Sequence, residues 1–294
     1  MEKNKKKYNG IDKTALLFLL PAMVIYISVI IFPVFYSLYI GFFQWNGIGE
    51  MNFVGISNYV ELILNDAVFH KAIKNNAIWI VLTLTVTMIT SFILAMILCN
   101  NFKGKTFFRG LFYLPCVIAP IAVAIIWRWI YNPNIGFVNE FFRLIGFEYS
   151  QNWISSPTAS LYAVFAASVW QGVGQPMLLF IAGISAISTD VLEASVIDGA
   201  KGIKKLFYII IPMLRETFVI VIATLLVASM KVYDIIQGLT GGGPGDATEM
   251  LSTYMYSQVF KYNNVGYGTA VACIMVLIML IVIIPYVLFM AKED

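Results

Sequence analysis

The sequence predicts an all-α membrane protein with six transmembrane helices. Two observations carry this. Hydrophobic residues make up 60% of the 294-residue chain and charged residues only 12%, where an ordinary soluble domain carries about 25% charged residues. Mean hydropathy is +0.82. The apolar residues also fall into runs of about 20 or more, long enough to cross a bilayer as helices that satisfy every backbone polar group internally. The alternating pattern of outer-membrane strands is absent.

Six spans are predicted, at Thr14–Phe43, Ala72–Cys99, Phe107–Tyr131, Ser160–Ile187, Leu206–Ile236 and Gly268–Met290. Pro21, Pro33, Pro115, Pro120, Pro176 and Pro285 fall inside them. Membrane helices tolerate proline because neighbouring groups satisfy the freed carbonyls. Pro176, with Gly172 and Gly174 just before it, predicts a kink in the fourth span. The basic N-terminal stretch MEKNKKKYNGIDK runs into a span too long for a signal peptide and without a small-residue cleavage site. It reads as a retained tail.

The loops set the orientation. Lys3, Lys5, Lys6, Lys7, Lys13, Lys103, Lys105, Arg109, Lys201, Lys204, Lys205 and Lys292 share one side; Lys71, Lys74, Arg143 and Lys261 share the other. Both termini are therefore expected in the cytoplasm of a multi-pass inner-membrane protein. The expected division is a tail over 1–13, a first helix and external loop over 14–71, a five-helix core over 72–290, and a C-terminus over 291–294. Trp45, Trp153 and Tyr262 fall in external loops, as aromatic belts do.

Several features read as structural. Cys99, Cys116 and Cys273 sit in apolar surroundings without metal-ligand spacing, and His70 stands alone. No metal site is expected. Gly241-Gly242-Gly243-Pro244-Gly245 continues into Asp246-Ala247-Thr248. It lacks the Gly-Lys-Ser/Thr ending of a phosphate-binding loop and reads as a tight external connection.

One polar segment interrupts the apolar pattern. Over 188–206 the chain carries Asp190, Glu193, Gly199, Lys201, Lys204 and Lys205 between two long spans. Asp190 is expected to cap a short helix, with Glu193 three residues on. Ala194 and Ser195 are small and admit a close neighbour, and Gly199 permits a left-handed turn that ends the helix. On chemistry alone this is equally an interfacial connector without a partner or a docking surface.

The spacing adds a resemblance. Glu193-Ala194-Ser195, Asp198-Gly199-Ala200, Ile209 and Pro212 resemble the cytoplasmic EAA loop of ABC-importer permease subunits, with Ser195 for the second Ala and Ile211 for the usual Leu. The likeness extends over nearly the whole chain. Leu19-Leu20-Pro21-Ala22, Phe32-Pro33, Phe53-Val54-Gly55-Ile56-Ser57-Asn58-Tyr59, Ile130-Tyr131-Asn132-Pro133 with Gly136, Ser168-Val169-Trp170 and Leu239-Thr240-Gly241-Gly242-Gly243-Pro244 resemble signatures of the carbohydrate-uptake branch. They point to the maltose-larger-subunit-like member of the permease pair, without that subunit's extra helices and large external domain.

The resemblance implies a coupling helix that docks on an ATPase. Glu193, Ala194, Ser195, Asp198, Gly199, Ala200 and Pro212 would be its residues. It further implies a second homologous permease subunit, an ATPase dimer, an extracytoplasmic sugar-binding protein and a sugar substrate within membrane lipid. Nucleic acid is not an expected partner. ATP and magnesium would be bound by the ATPase, leaving this chain without cofactor or catalytic residue. By position, Gln171, Gly172, Gln175, Ser229 and Val232 are candidates for the substrate path, although glutamines in spans also simply bond neighbouring helices. Lys231 and Asp234, three apart in the predicted fifth span, are expected to share a helix face. They read equally as a structural pair facing a partner subunit or as a sugar contact, and they are the one faint site for an ion-gradient-driven secondary carrier, the alternative function. A membrane-embedded enzyme would need a His, Cys or carboxylate cluster, which the spans lack.

Overall fold

The computed structural model describes residues 13–147 and 151–291. The tail residues 1–12 and 292–294, with Lys3, Lys5, Lys6, Lys7 and Lys292, lie outside the described residues. Among the described residues the only sheet is a short hairpin after the first span, Phe43–Gln44 antiparallel to Asn52–Phe53.

Three helices are long and apolar enough to cross a membrane as single stretches: Leu17–Ile40, Ala67–Cys99 and Val265–Tyr286. Among the described residues three bent helix pairs also pass the same test together, which brings the candidate spans to six when each pair is taken as one. The third span breaks by 102° between Lys105–Val117 and Pro120–Ile130. Pro120 opens the second half, and Ile118 and Ala119 before it are extended, as residues ahead of proline tend to be. The fourth span bends by 44° between Ser160–Gly172 and Gly174–Ala186, where the glycines and Pro176 predict a kink. The fifth bends by 72° between Ile203–Met213 and Arg215–Met230.

Among the described residues there are four π-helical stretches, and two of them have a cause visible in the sequence. Ile27–Ile31 and Leu206–Ile210 each end two residues before a proline, Pro33 and Pro212. Proline has no N–H to donate to the carbonyl four residues back. The residue before it reaches one position further: Phe32 N–H bonds Ile27 O, and Ile211 N–H bonds Leu206 O. A single widened turn absorbs the mismatch.

The structure corrects several span limits: the first ends at Ile40, the fifth begins at Ile203 and the sixth at Val265. The second begins at Ala67, because Asp66 caps it by accepting the Phe69 N–H at 2.9 Å. The third begins at Lys105. The fifth stops at Met230, and the chain restarts as a separate helix, Asp234–Leu239. Lys231 therefore caps one helix and Asp234 opens the next. They do not share a helix face, and among the described residues no ion pair joins them.

The Asp234–Leu239 helix turns back into the protein. Ile235, Ile236 and Leu239 are buried with Trp79, Val123 and Phe165, drawing the second, third and fourth spans together around this helix. A second cluster, with Ala95, Met177, Phe180, Ile181 and Val221, packs the basic-side halves of spans two, four and five. The sixth span packs on the second through Leu62, Phe69, Ala72, Leu251 and Val271. The first span differs: none of its most apolar window is buried, against 22% for the second and sixth.

Candidate functional site

Two places stand out: a cavity among the spans and the exposed 188–206 loop. The cavity holds about 540 Å³, within the range of small-molecule sites. The second span contributes Trp79, Thr83 and Thr87; the fourth contributes Ser168, Gly172, Gln175 and Pro176; the fifth contributes Thr224 and Ser229 among others, and the link after it Val232. The wall thus offers hydroxyls and one amide on an apolar background. Among the described residues that line it there is no Asp, Glu, Lys or Arg.

Local backbone breaks build this wall. Thr83–Thr87 is a π-helical stretch, a feature often found at functional positions. It keeps Thr83 and Thr87 below Trp79 on one buried face. Gly172 lies at the kink of the fourth span, where no side chain covers the space beside it. Gln175 follows on the exposed side of that kink. Ser229 and Val232 flank the end of the fifth span.

Gly172, Gln175, Ser229 and Val232 therefore meet on one wall, as expected of a path. Gln171 does not join them. Its Nε2 donates to Ile118 O at 2.9 Å, and its carbonyl accepts the Cys116 thiol at 2.8 Å. Ile118 lies at the break of the third span, so Gln171 satisfies a carbonyl which that break leaves free. Trp170 also stays off the wall and stacks edge-on against Trp127 at 6.0 Å. Trp79, Thr83 and Thr87 went unnoticed in the sequence. Their signal was there: one aromatic and two hydroxyls at four-residue spacing in an otherwise apolar span.

The 188–206 loop forms a helix, Thr189–Ile197, then a turn, then Ile203–Met213. Its cap corrects the expectation: Ser188 accepts the Asp190 N–H at 3.3 Å, so Asp190 sits in the first turn, two residues past the cap. Gly199 takes φ +85°. Its N–H bonds Val196 O, and Ala200 N–H bonds Ser195 O at 2.8 Å. This is the paired arrangement that closes a helix with glycine in the left-handed region. Ser195 is buried, its hydroxyl on Leu192 O, and Lys205 Nζ also donates to Leu192 O at 3.2 Å. Glu193, Ala194 and Asp198 are exposed, and Ile197 is 86% exposed. Thr189, Leu192, Glu193, Val196, Ile197 and Lys205 line a shallow groove there. Pro212 lies apart from the loop, at the elbow of the fifth span.

The glycine-rich run on the opposite side is more than a connection. Lys71 Nζ donates to Gly245 O at 2.6 Å, and Asn75 Nδ2 donates to Ala247 O and Glu249 O. Asn76 accepts the Leu251 N–H at 2.8 Å and donates to Ser229 O on the cavity wall. Glu249 is buried and accepts the Thr253 hydroxyl; burial pushes its pKa up. Nearby, Asp66 Oδ2 accepts from Tyr254 at 2.5 Å and from Tyr267 at 2.6 Å. Burial works against that charge, but these hydroxyls and the backbone donors hold its pKa below the ordinary value. Among the described residues no group of His, Cys and carboxylates is arranged to hold a metal.

Comparison with known proteins places this architecture. Residues 89–292 match the family described as the binding-protein-dependent transport system inner membrane component. A probable ABC transporter permease protein of Pyrococcus horikoshii is 33% identical, over 95% of this chain and 96% of its own. The multiple sugar-binding transport system permease protein MsmF of Streptococcus mutans is 30% identical, over 90% of this chain and 91% of its own. A chain in the crystal structure of a bacterial ABC transporter involved in the import of the acidic polysaccharide alginate superimposes with a TM-score of 0.84 at 20% identity, over 96% of both chains. The fold of the chain is thus a known one, and this chain is a member of the family of inner-membrane components of binding-protein-dependent transport systems.

Proposed function

We propose that this chain is the permease subunit of an ATP-driven importer for a neutral sugar or oligosaccharide, and that it forms half of the translocation path. The cavity wall carries this reading: hydroxyls and an amide beside Trp79, with no charged side chain among the lining residues. Such a surface replaces water around an uncharged polyhydroxyl molecule. The names of relatives support the substrate class, among them the multiple sugar-binding permease of Streptococcus mutans and a probable starch degradation products permease of Thermoanaerobacterium thermosulfurigenes.

A second, homologous permease subunit would supply the other half of the path. An ATPase dimer, binding ATP and magnesium, would sit under the 188–206 loop, and a sugar-binding protein would deliver cargo from outside. The exposed groove beside Glu193 and Ile197 supports the loop as the ATPase seat. Closure of the ATPases would push this helix. The push would pass through Ile203–Met213 and the Pro212 elbow into Arg215–Met230, which carries Thr224 and Ser229 of the wall. Both termini would lie in the cytoplasm, and the chain itself would hydrolyse nothing. The division into tail, first helix with external loop, and five-helix core is part of the same proposal.

The test is purification of the tagged chain from native membranes with its partners, then sugar uptake in vesicles. Uptake that needs ATP hydrolysis and ignores an uncoupler supports an ATPase-driven permease. Uptake that collapses with the uncoupler and proceeds without an ATPase points to the ion-driven carrier instead. Gln175→Ala should raise the half-saturating sugar concentration several-fold, whereas Gln171→Ala should lower thermal stability and leave that concentration alone.

A further inference from the structure

The loop between the third and fourth spans carries a short helix, Phe137–Leu144. At about 100° per residue, its residues divide into three sectors. Val138, Asn139 and Phe142 face the protein. Asn139 is buried: its Nδ2 donates to Pro133 O and Gln151 O, and its Oδ1 accepts Trp153 Nε1 at 2.8 Å. Phe142 stacks on Trp153 with centroids 6.0 Å apart. Glu140 and Arg143 form the second sector and pair at 2.5 Å, giving a polar face without net charge. Phe137, Phe141 and Leu144 form the third, and they are 69%, 48% and 77% exposed.

We propose that this helix lies in the head-group boundary of the leaflet opposite the 188–206 loop. Its third sector contacts phospholipid acyl chains and its second faces water. Continuity argues for lipid. The helix follows Pro120–Ile130 after a six-residue turn over 131–136, and Ile121, Ile125 and Trp129 of that span form an exposed row at four-residue spacing. The apolar sector thus adds to an exposed apolar row on the neighbouring span. The level agrees: Trp129, Trp153 and Tyr162 crowd this end, and such amphipathic aromatics sit where acyl chains meet head groups. A soluble partner that docks and leaves would return a contiguous apolar patch to water at every cycle. Lipid covers it throughout. A helix with separate protein, water and apolar sectors suits an edge where all three meet.

The experiment uses the assembled transporter in nanodiscs of phosphatidylethanolamine and phosphatidylglycerol. Spin-labelled unnatural amino acids are placed singly at Phe137, Phe141, Leu144, Glu140 and Arg143. The first three labels should collide several-fold more with oxygen than with a water-soluble nickel chelate, and the last two should show the reverse. High nickel access at all five positions overturns the proposal. So does shielding of Phe137, Phe141 and Leu144 from both reagents, whether permanent (a second permease) or only when the binding protein is added. A measurement on the unlabelled chain guards against perturbation by the label. A phospholipid with a photoactivatable group near its acyl carbonyl should crosslink within residues 137–145. Adducts confined to other segments count against the lipid contact.

Discussion

Two glycine-broken polar loops on opposite sides of this protein look alike in sequence and are built for opposite ends. The 240–250 loop is held from outside itself: Lys71 and Asn75 bond its carbonyls, and Glu249 is buried beneath it. The 188–206 loop is held mainly by its own turn, with Lys205 on Leu192 O, and it leaves Glu193 and Ile197 exposed. A loop whose polar groups are satisfied by its own protein belongs to the scaffold. A loop that satisfies only its backbone and presents side chains outward is free to take a partner. The contrast is sharpest at two glycines in the left-handed region. A Cβ on Gly242 would sit 1.9 Å from Glu249 Oε2, whereas one on Gly199 meets nothing within 4 Å.

Gly242→Ala should therefore act on folding. Positive φ and the collision together cost roughly 3 kcal/mol, read as a large fall in the thermal unfolding midpoint and in yield. Near-native stability would erase the distinction between the loops. Asn75→Ala comes next, at about 2 kcal/mol, because two buried carbonyls lose their shared donor. Chemical denaturation in detergent reads it, and a loss below 0.5 kcal/mol would mean the loop stands without that tether.

On the other side the damage should appear in transport. Glu193→Ala should leave the protein inserted and within about 1 kcal/mol of normal stability, and Gly199→Val, strained at φ +85°, should stay inserted with a loss of about 2 kcal/mol. Uptake should drop by about tenfold or more, equivalent to about 1.4 kcal/mol of lost coupling. Normal uptake in both variants would remove the loop from the drive mechanism.

The smallest effects concern pH, and their signs are opposite. Asp66 has a lowered pKa in the fold, so its contribution is present above the ordinary carboxylate range and is lost as pH falls through the lowered value. Glu249 has a raised pKa, so its ionisation opposes folding as pH rises from the ordinary range through the raised value. Glu249→Gln should thus match or exceed the native stability at neutral pH, while Asp66→Asn should fall below it. Melting curves across pH would sharpen the contrast, and a Glu249→Gln variant less stable than native at pH 7 would contradict its sign.

Much of the site was legible because its signals are local. Gly199 closes its helix through a backbone conformation that depends on one residue type and its immediate neighbours. The kink at Gly172, Gly174 and Pro176 is likewise short-range. Gln171 and Gln175 show the limit. Both are glutamines one turn apart on the same span, and only the carbonyl of Ile118, freed in another span, separates a tether from a wall residue. Trp79, Thr83 and Thr87 were hidden for the same reason: a polar stripe in a span marks a helix contact as readily as a cavity.

The sequence by itself determined the class, the six crossings, the motif spacing of the 188–206 loop and the glycine that ends its helix. Hydropathy and backbone conformational cost act within one segment, so they can be read along it. Only the tertiary structure decided where the fifth span stops, that Lys231 and Asp234 part company, that the 240–250 loop is scaffold, and which polar residues share a wall. Those outcomes depend on which donors and acceptors distant spans bring together, and no segment carries that information alone.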